Sequence, residues 1–321
     1  MIHNIQILRA FAALNVVYFH IIMSADSYDQ PVDFFFVLDG WGASGVDIFF
    51  VISGFVMVLT QSVREKKALH FLASRIIRIV PVYWFLTMCL LLLYFIFPQG
   101  FRELKPNIMD TTYSLLFLSG VTGEDFPLLH VGWTLEYEML FYLLFCLGIF
   151  FGRQNTLILF PAAILGLLSF TGIVELLAIE FVIGMLCARL YLSRALRNVA
   201  VPSLLVGLCW FLMTIFFKVD LDRFFLFGIP SFFLVFGLAN IKQSKNRLLN
   251  YVGDASYSIY LVQVFTIPIF YKFSSQFLSS LDGDLLSLFA LIATGWFGCL
   301  VYSFIEKPMT RFLKRKFSGH Y

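Results

Sequence analysis

Apolar stretches close to twenty residues long recur from one end of this chain to the other, each closed by a Gly, a Pro or a charged residue. A helix needs roughly 20 apolar residues to cross the hydrocarbon core of a bilayer, and in lipid it satisfies its own backbone polar groups. Hydropathy with this punctuation predicts ten spans, at about 5–23, 45–62, 79–97, 131–151, 155–171, 174–191, 199–217, 224–241, 255–273 and 285–305. Of the 321 residues, 60% are apolar and 13% charged, against roughly 25% charged in a soluble domain. The fold class that follows is an all-α polytopic membrane protein with about ten transmembrane helices. The largest loop, Pro98 to His130, holds about 33 residues and is expected to contain a short re-entrant piece around Tyr113 to Leu118. It is too short for a soluble domain, so residues 1–321 read as a single integral-membrane domain.

The first stretch, Ile5 to Met23, lacks a basic start and a small-residue cleavage site and carries Arg9 and His20, so it reads as a retained helix rather than a signal peptide. Cys89, Cys146, Cys187, Cys209 and Cys299 each sit in an apolar run without metal-type spacing and read as buried small hydrophobes. No metal site is expected. A net charge of +3 is too small to suggest nucleic acid.

Charge sets the expected orientation. The loops on the side of the termini carry Arg64, Lys66, Lys67, Arg75, Arg78, Arg153, Arg189, Arg194, Arg197, Lys242, Lys245, Arg247, Lys307, Arg311, Lys314, Arg315 and Lys316, which is 17 cations. The other side has five, Arg102, Lys105, Lys218, Arg223 and Lys272, and its first loop has Asp26, Asp29, Asp33 and Asp39 with no cation. The positive-inside rule then puts both termini in the cytoplasm of an inner, plasma-membrane protein. No internal repeat of the transporter kind is visible.

Charged groups within spans are costly, about 2.5–3.5 kcal/mol each, and mark function by default. They are Arg9, His20, Asp47, Glu136, Glu138 and Glu180. Arg9 and His20, eleven residues apart, fall within about 20° of one face and about 16 Å apart along the axis. Val16 shares their stripe with Ala12 and Ala13 beside it, a face suited to line a passage; the plain alternative is a snorkelling Arg9 and an interfacial His20. Asp47 opens the second span and is expected to cap it or to sit at its positive dipole end. Ser53 and Gly54 are small enough for close helix packing. Glu138, in Gly132-Trp133-Thr134-Leu135-Glu136-Tyr137-Glu138, is expected about 10 Å below the outer surface, level with His20 and able to orient it. Arg75 and Arg78, three apart before Pro81, share a face and suit a phosphate-bearing ligand, or else serve as a positive-inside anchor.

Taken together these residues resemble the membrane acyltransferase 3 family, which includes sugar and polysaccharide O-acetyltransferases. The resemblance runs through Leu8-Arg9, Ala12, Val16 and His20; through Gly45-Val46-Asp47, Phe49-Phe50 and Ser53-Gly54-Phe55; through Arg75, Arg78-Ile79, Pro81 and Tyr83; through Trp133-Thr134-Leu135, Glu138 and Phe141-Tyr142; and through Gly253, Ser256-Tyr257, Tyr260-Leu261, Glu306 and Pro308. It implies a ten-helix domain that uses acyl-CoA, with acetyl-CoA the expected donor, an essential His20, and Arg9, Arg75, Arg78 and Glu138 at the site. Asp47, Ser53, Tyr83 and Trp133 are expected in support. Where the family often has a histidine after the Tyr-Leu pair, this chain has Gln263, which hydrogen-bonds but does not titrate. That leaves His20 as the one histidine well inside a span, with His130 at the border of the fourth as a possible substitute. A C-terminal hydrolase-like extension of the sort some relatives carry is not expected.

The chemistry this implies is acyl transfer from a thioester to a hydroxyl of a cell-surface polysaccharide or lipid-linked glycan. His20 is the base, Glu138 fixes its tautomer, and the arginines hold coenzyme A phosphates at the cytoplasmic mouth. An acyl-histidine relay would use the same groups. The rival from another class is a carrier or flippase for a lipid-linked glycan, which would also need charges inside a bundle.

Overall fold

The computed structural model describes residues 2–101, 106–123, 126–152, 156–217 and 219–318. Arg102, Lys105, Arg153 and Lys218 of the charge census lie outside them. Among the described residues all regular structure is helical: α1 His3–Ala25, α2 Ser44–Val63, α3 Ala68–Ile96, α4 Ile108–Leu116, α5 Trp133–Phe150, α6 Thr156–Phe170, α7 Ile179–Ser193, α8 Ala200–Phe216, α9 Ile229–Asn240, α10 Arg247–Asp254, α11 Ser256–Phe277, α12 Gly283–Val301 and α13 Lys307–Ser318. One π-helical turn, Phe224–Gly228, leads into α9, and another, Tyr302–Glu306, joins α12 to α13.

Each expected span falls on a helix. Seven of the described helical segments are long and apolar enough to cross a membrane: His3–Tyr28, Trp41–Val63, Ala68–Ile96, His130–Phe150, Leu176–Ser193, Arg197–Phe216 and Gly283–Phe317. Thr156–Phe170 and Phe224–Asn240 are apolar but shorter. Two boundaries differ from expectation. The third helix starts at Ala68, so Arg75 and Arg78 belong to the helix itself and Pro81 lies inside it. The piece expected around Tyr113 is α4, which Asn107 caps by accepting from the Asp110 N–H at 2.8 Å and which stops where Phe117 turns left-handed.

Among the described helices the most extensive contact is α2 on α7. Gly54 faces the Phe181 carbonyl and Gly184 faces the Val51 carbonyl, so close that a Cβ on either glycine would overlap backbone of the other helix. Small residues permit this approach where apolar lipid supplies no hydrophobic drive for helices to associate. Gly54 thus does what was expected of it, while Ser53 beside it turns the other way. Five cysteines are free, and only Cys146 and Cys187 are fully buried; Cys209 is exposed on the flank of α8, and Cys89 and Cys299 are half-buried.

The chain reversals gather at two ends. At one, Asn4 bonds Gln243 and Lys242, His3 meets Asn250, and α13 packs on α3, which brings the basic segments together. At the other, Asp284 accepts from the Phe34 and Phe35 N–H groups, Lys272 reaches the Gly100 carbonyl, and Trp41 donates to the Phe211 carbonyl. The first is called the terminal end below, and the second the far end.

Candidate active site

A cavity with about 770 Å³ of open space runs between α1, α2, α3, α5 and α11. Its walls are mostly apolar, with Val46, Phe49, Phe50, Val56, Met57 and Leu135 among them, and Arg9, Arg75, Arg78 and Glu138 also border it. The three guanidinium groups arrive from two helices. Arg9 is seated by α1 and α11: it donates to Gln6 Oε1 at 3.0 Å and to Ser256 Oγ at 2.9 Å. Arg75 and Arg78 share the α3 face that their spacing of three requires. The Arg75 guanidinium lies over the Phe71 ring at 5.7 Å, and its buried Nε has no hydrogen-bond partner among the described residues.

Among the described residues Glu138 is the only carboxylate bordering this cavity. It accepts hydrogen bonds from Ser53 Oγ at 3.0 Å and from the Tyr142 hydroxyl, one turn further along α5. Three cations against one carboxylate leave the cavity cationic, and among the described residues no carboxylate comes within 4 Å of any of the three. Such a lining accommodates an anionic ligand whose remainder is apolar.

His20 stands apart from this group. It is half-buried near the far end, and its ring lies 5.3 Å from the His130 ring and 5.1 Å from that of Phe19. Glu138 is not its partner, contrary to expectation. His130 precedes Glu138 by eight residues, so with His20 level with His130 the carboxylate lies about 12 Å deeper, nearer the level of Arg9 than that of His20. The expected passage along the α1 stripe is also absent. Ala12 and Val16 are buried where Gly45 of α2 presses against them so closely that a Cβ there would overlap both. On the α5 side the cavity ends at Thr134 and Tyr260, four residues along the chain from His130 in the case of Thr134, and neither His20 nor His130 borders it. Tyr260 is fixed there by bonds to Thr134 Oγ1 and to the Val131 carbonyl, both 2.8 Å.

The remaining predicted residues do not border the cavity. Asp47 sits in the first turn of α2, at its positive dipole end as expected, rather than capping it: fully buried there, it holds Arg223 through both oxygens, at 2.8 to 3.1 Å, while Arg223 also donates to the Ala43 carbonyl at 2.7 Å. Glu180, equally buried on α7, faces the Asp47 carboxylate closely enough for the two acid groups to be joined by a hydrogen bond. Glu136 accepts from the Ser119 and Gly120 N–H groups and so pins the segment before α5. Tyr83 bonds Ser114 at 2.8 Å and packs under Gly132, holding the start of α5, and Trp133 stacks edge-on to Tyr137. Gln263 is buried in α11 and donates to the Tyr260 carbonyl.

Arg223, a loop cation in the charge census, and His130, a possible substitute at a span border, thus acquire places that the sequence does not give them. A signal existed for the first, because a buried Asp47 demands a cation and the far end has few. For His130 the signal is its place at the mouth of the fourth span, where a 3-10 turn leads straight into α5.

A family model described as an acyltransferase domain matches residues 2–305. The "Exopolysaccharide production protein ExoZ" of Rhizobium meliloti (strain 1021) is 32% identical over 305 residues, covering 84% of this chain and 90% of that protein. The "O-acetyl transferase" of Shigella phage Sf6 is 31% identical over 127 residues, 36% of this chain and 37% of that one. The "O-acetyltransferase OatA" of Staphylococcus aureus (strain NCTC 8325 / PS 47) is 25% identical over 359 aligned positions, 95% of this chain, and the chain spans 56% of that protein. No solved structure matches.

Proposed function

The chain belongs to the acyltransferase 3 family, and on that premise we propose that this O-acetyltransferase moves an acetyl group from acetyl-CoA to a hydroxyl of a cell-surface polysaccharide. The observation that carries the donor is the cavity itself: three guanidinium groups around an otherwise apolar space, with a single carboxylate among them. An acyl-CoA combines phosphates with a long uncharged arm, which is the chemistry that lining accepts. The acceptor class rests on relatives named for exopolysaccharide production and O-acetyl transfer. A glycan carrier is not favoured, since family membership speaks for acyl transfer.

In this reading the ten helical segments on which the expected spans fall all cross the plasma membrane, residues 1–321 act as one domain, and the basic terminal end faces the cytoplasm. The donor enters there, and the acceptor meets it near the histidines. His20 takes the proton from the acceptor hydroxyl as that oxygen attacks the thioester carbonyl. The tetrahedral intermediate then expels the coenzyme A sulfur, which leaves as the thiol with the proton His20 returns. His130, whose ring touches that of His20, is a second titratable group for the same transfer. Glu138 holds Ser53 and Tyr142 and balances part of the arginine charge, rather than orienting His20. Asp47, Tyr83, Trp133 and Gln263 support the scaffold around the cavity.

Purified protein in nanodiscs, given radiolabelled acetyl-CoA and an acceptor glycan, tests this directly. His20→Ala should lower turnover by about 10²- to 10⁴-fold, the usual contribution of a general base, with the melting temperature of the detergent-solubilised protein little changed. Wild-type turnover in a correctly inserted His20→Ala variant would remove His20 from the mechanism.

A further inference from the structure

The arginine cavity does not end at Arg9 and Arg78. Both side chains also border a second space of about 740 Å³ at the terminal end of the bundle. Its other charged walls are Asp254 at the close of α10, Glu306 in the last π turn, and Lys307, Arg311 and Lys314 of α13. The three α13 cations follow one another at intervals of four and three, so they lie on one helix face. Arg315 and Lys316 of the same helix do not border the space, and Phe312 and Phe317 are exposed elsewhere on it. A purely topological anchor has no need to aim three cations into one recess.

The two acids at this recess are already engaged. Asp254 accepts from Gln6 Nε2 at 2.9 Å and Glu306 from Ser258 Oγ at 2.5 Å. The five cations Arg9, Arg78, Lys307, Arg311 and Lys314 have no carboxylate within 4 Å among the described residues. Lys307 leans on the Tyr302 ring, its Nζ 5.7 Å from the centroid. The recess therefore carries an excess of positive charge, whereas the cavity beyond Arg9 and Arg78 is mostly apolar. The family match ends at residue 305, before α13 begins.

We propose that the α13 face formed by Lys307, Arg311 and Lys314, together with Arg78, is a subsite for the nucleotide phosphates of the acyl donor. The thioester arm then passes between Arg9 and Arg78 into the apolar cavity. Arg75, which borders only the inner cavity, attends the arm instead of the phosphates. The proposal rests on the reading that acetyl-CoA is the donor. It divides recognition by chemistry, with charge-assisted bonds for phosphate in the open recess and apolar contact for the arm within.

The test compares acetyl-CoA with S-acetylpantetheine, which carries the same reacting group and arm without the nucleotide, on full-length protein in nanodiscs. Lys307→Ala, Arg311→Ala and Lys314→Ala should each raise the KM for acetyl-CoA relative to that for S-acetylpantetheine by about tenfold, the size of one charge-assisted contact. Inhibition by adenosine 3′,5′-bisphosphate should weaken in parallel, and Arg311→Lys should restore most of both. Lys314→Ala, at an exposed position, keeps the test valid if a more buried variant folds poorly. A parallel rise for both donors would overturn the subsite. So would unchanged donor kinetics with lost binding to phosphatidylglycerol vesicles, which would make the face a lipid headgroup site. If the wild type consumes neither donor, the donor reading fails; bisphosphate binding measured by calorimetry then decides the subsite alone, standing if the variants lose it and falling if they keep it.

Discussion

Two charged clusters share this bundle, one closed and one open. At the far end Asp47 and Arg223 meet through both carboxylate oxygens, with Nη2 also donating to the Ala43 carbonyl, and neither residue borders the cavity. At the terminal end Arg75 and Arg78 have no carboxylate within 4 Å among the described residues and face space instead of protein. A buried charge that has found its partner holds helices in register. Charges left facing a cavity, three cations beside the single carboxylate of Glu138, are only partly offset among the described residues and suit a ligand that brings the rest.

The difference predicts opposite phenotypes. Arg223→Ala leaves Asp47 buried without its cation and should destabilise the protein by about 3–5 kcal/mol, nearer the lower figure because Arg223 is partly exposed. Thermal unfolding monitored by size-exclusion chromatography would read this as loss of folded protein before any kinetic defect. Restoration by the neutral pair Asp47→Asn with Arg223→Gln would show that pairing, rather than charge as such, is what the closed cluster supplies. Survival of Arg223→Ala at wild-type stability would mean that the two clusters do not differ in kind.

The open cluster should behave the other way. Arg75→Ala and Arg78→Ala remove no ion pair, so stability should hold, while each weakens donor affinity by about 1.5–3 kcal/mol, roughly 10- to 150-fold in KM for acetyl-CoA. Arg78 borders both spaces and should show the larger effect. An unchanged KM in both variants would reduce them to positive-inside anchors and remove the contrast.

How much of this could be read from the chain follows from what one helix reports about itself. Length and apolarity locate the helices, and spacing puts Arg75 with Arg78 on one face, because both are properties of a single segment. Partnership between helices is different. Asp47 and Arg223 are 176 residues apart, and nothing in either neighbourhood specifies the rotation that joins them. Depth counted from a nominal span start set Glu138 level with His20. With His130 and its 3-10 turn ahead of α5, the count shifts by two turns and His130 takes that place. The Val16 stripe failed for a related reason, since a face chosen by periodicity can equally be the one a glycine on the next helix covers. The late boundary drawn at residue 79 came from treating Arg75 and Arg78 as loop residues, although long cationic side chains inside a helix can turn toward a polar recess.

The smallest expected effect probes the inside of the closed cluster. Glu180 is fully buried, and its carboxyl faces Asp47 closely enough for the two acid groups to be joined by a hydrogen bond. A Cβ at Gly228, in the π turn before α9, would strike its Oε1, so the side chain is confined as well as paired. Glu180→Gln keeps the shape, removes an acid from beside Asp47 and still offers that carboxylate a donor, an N–H in place of the shared proton. Stability should therefore stay within about 1 kcal/mol of wild type or rise slightly, the net worth of one neutral hydrogen bond, and donor KM should not move because Glu180 does not border the cavity. A large loss of stability would mean that the Glu180 carboxyl itself helps to hold Arg223. The closed cluster would then be a three-membered network in which Asp47 and Arg223 do not suffice as a pair, and the neutral double variant would no longer be expected to restore the fold.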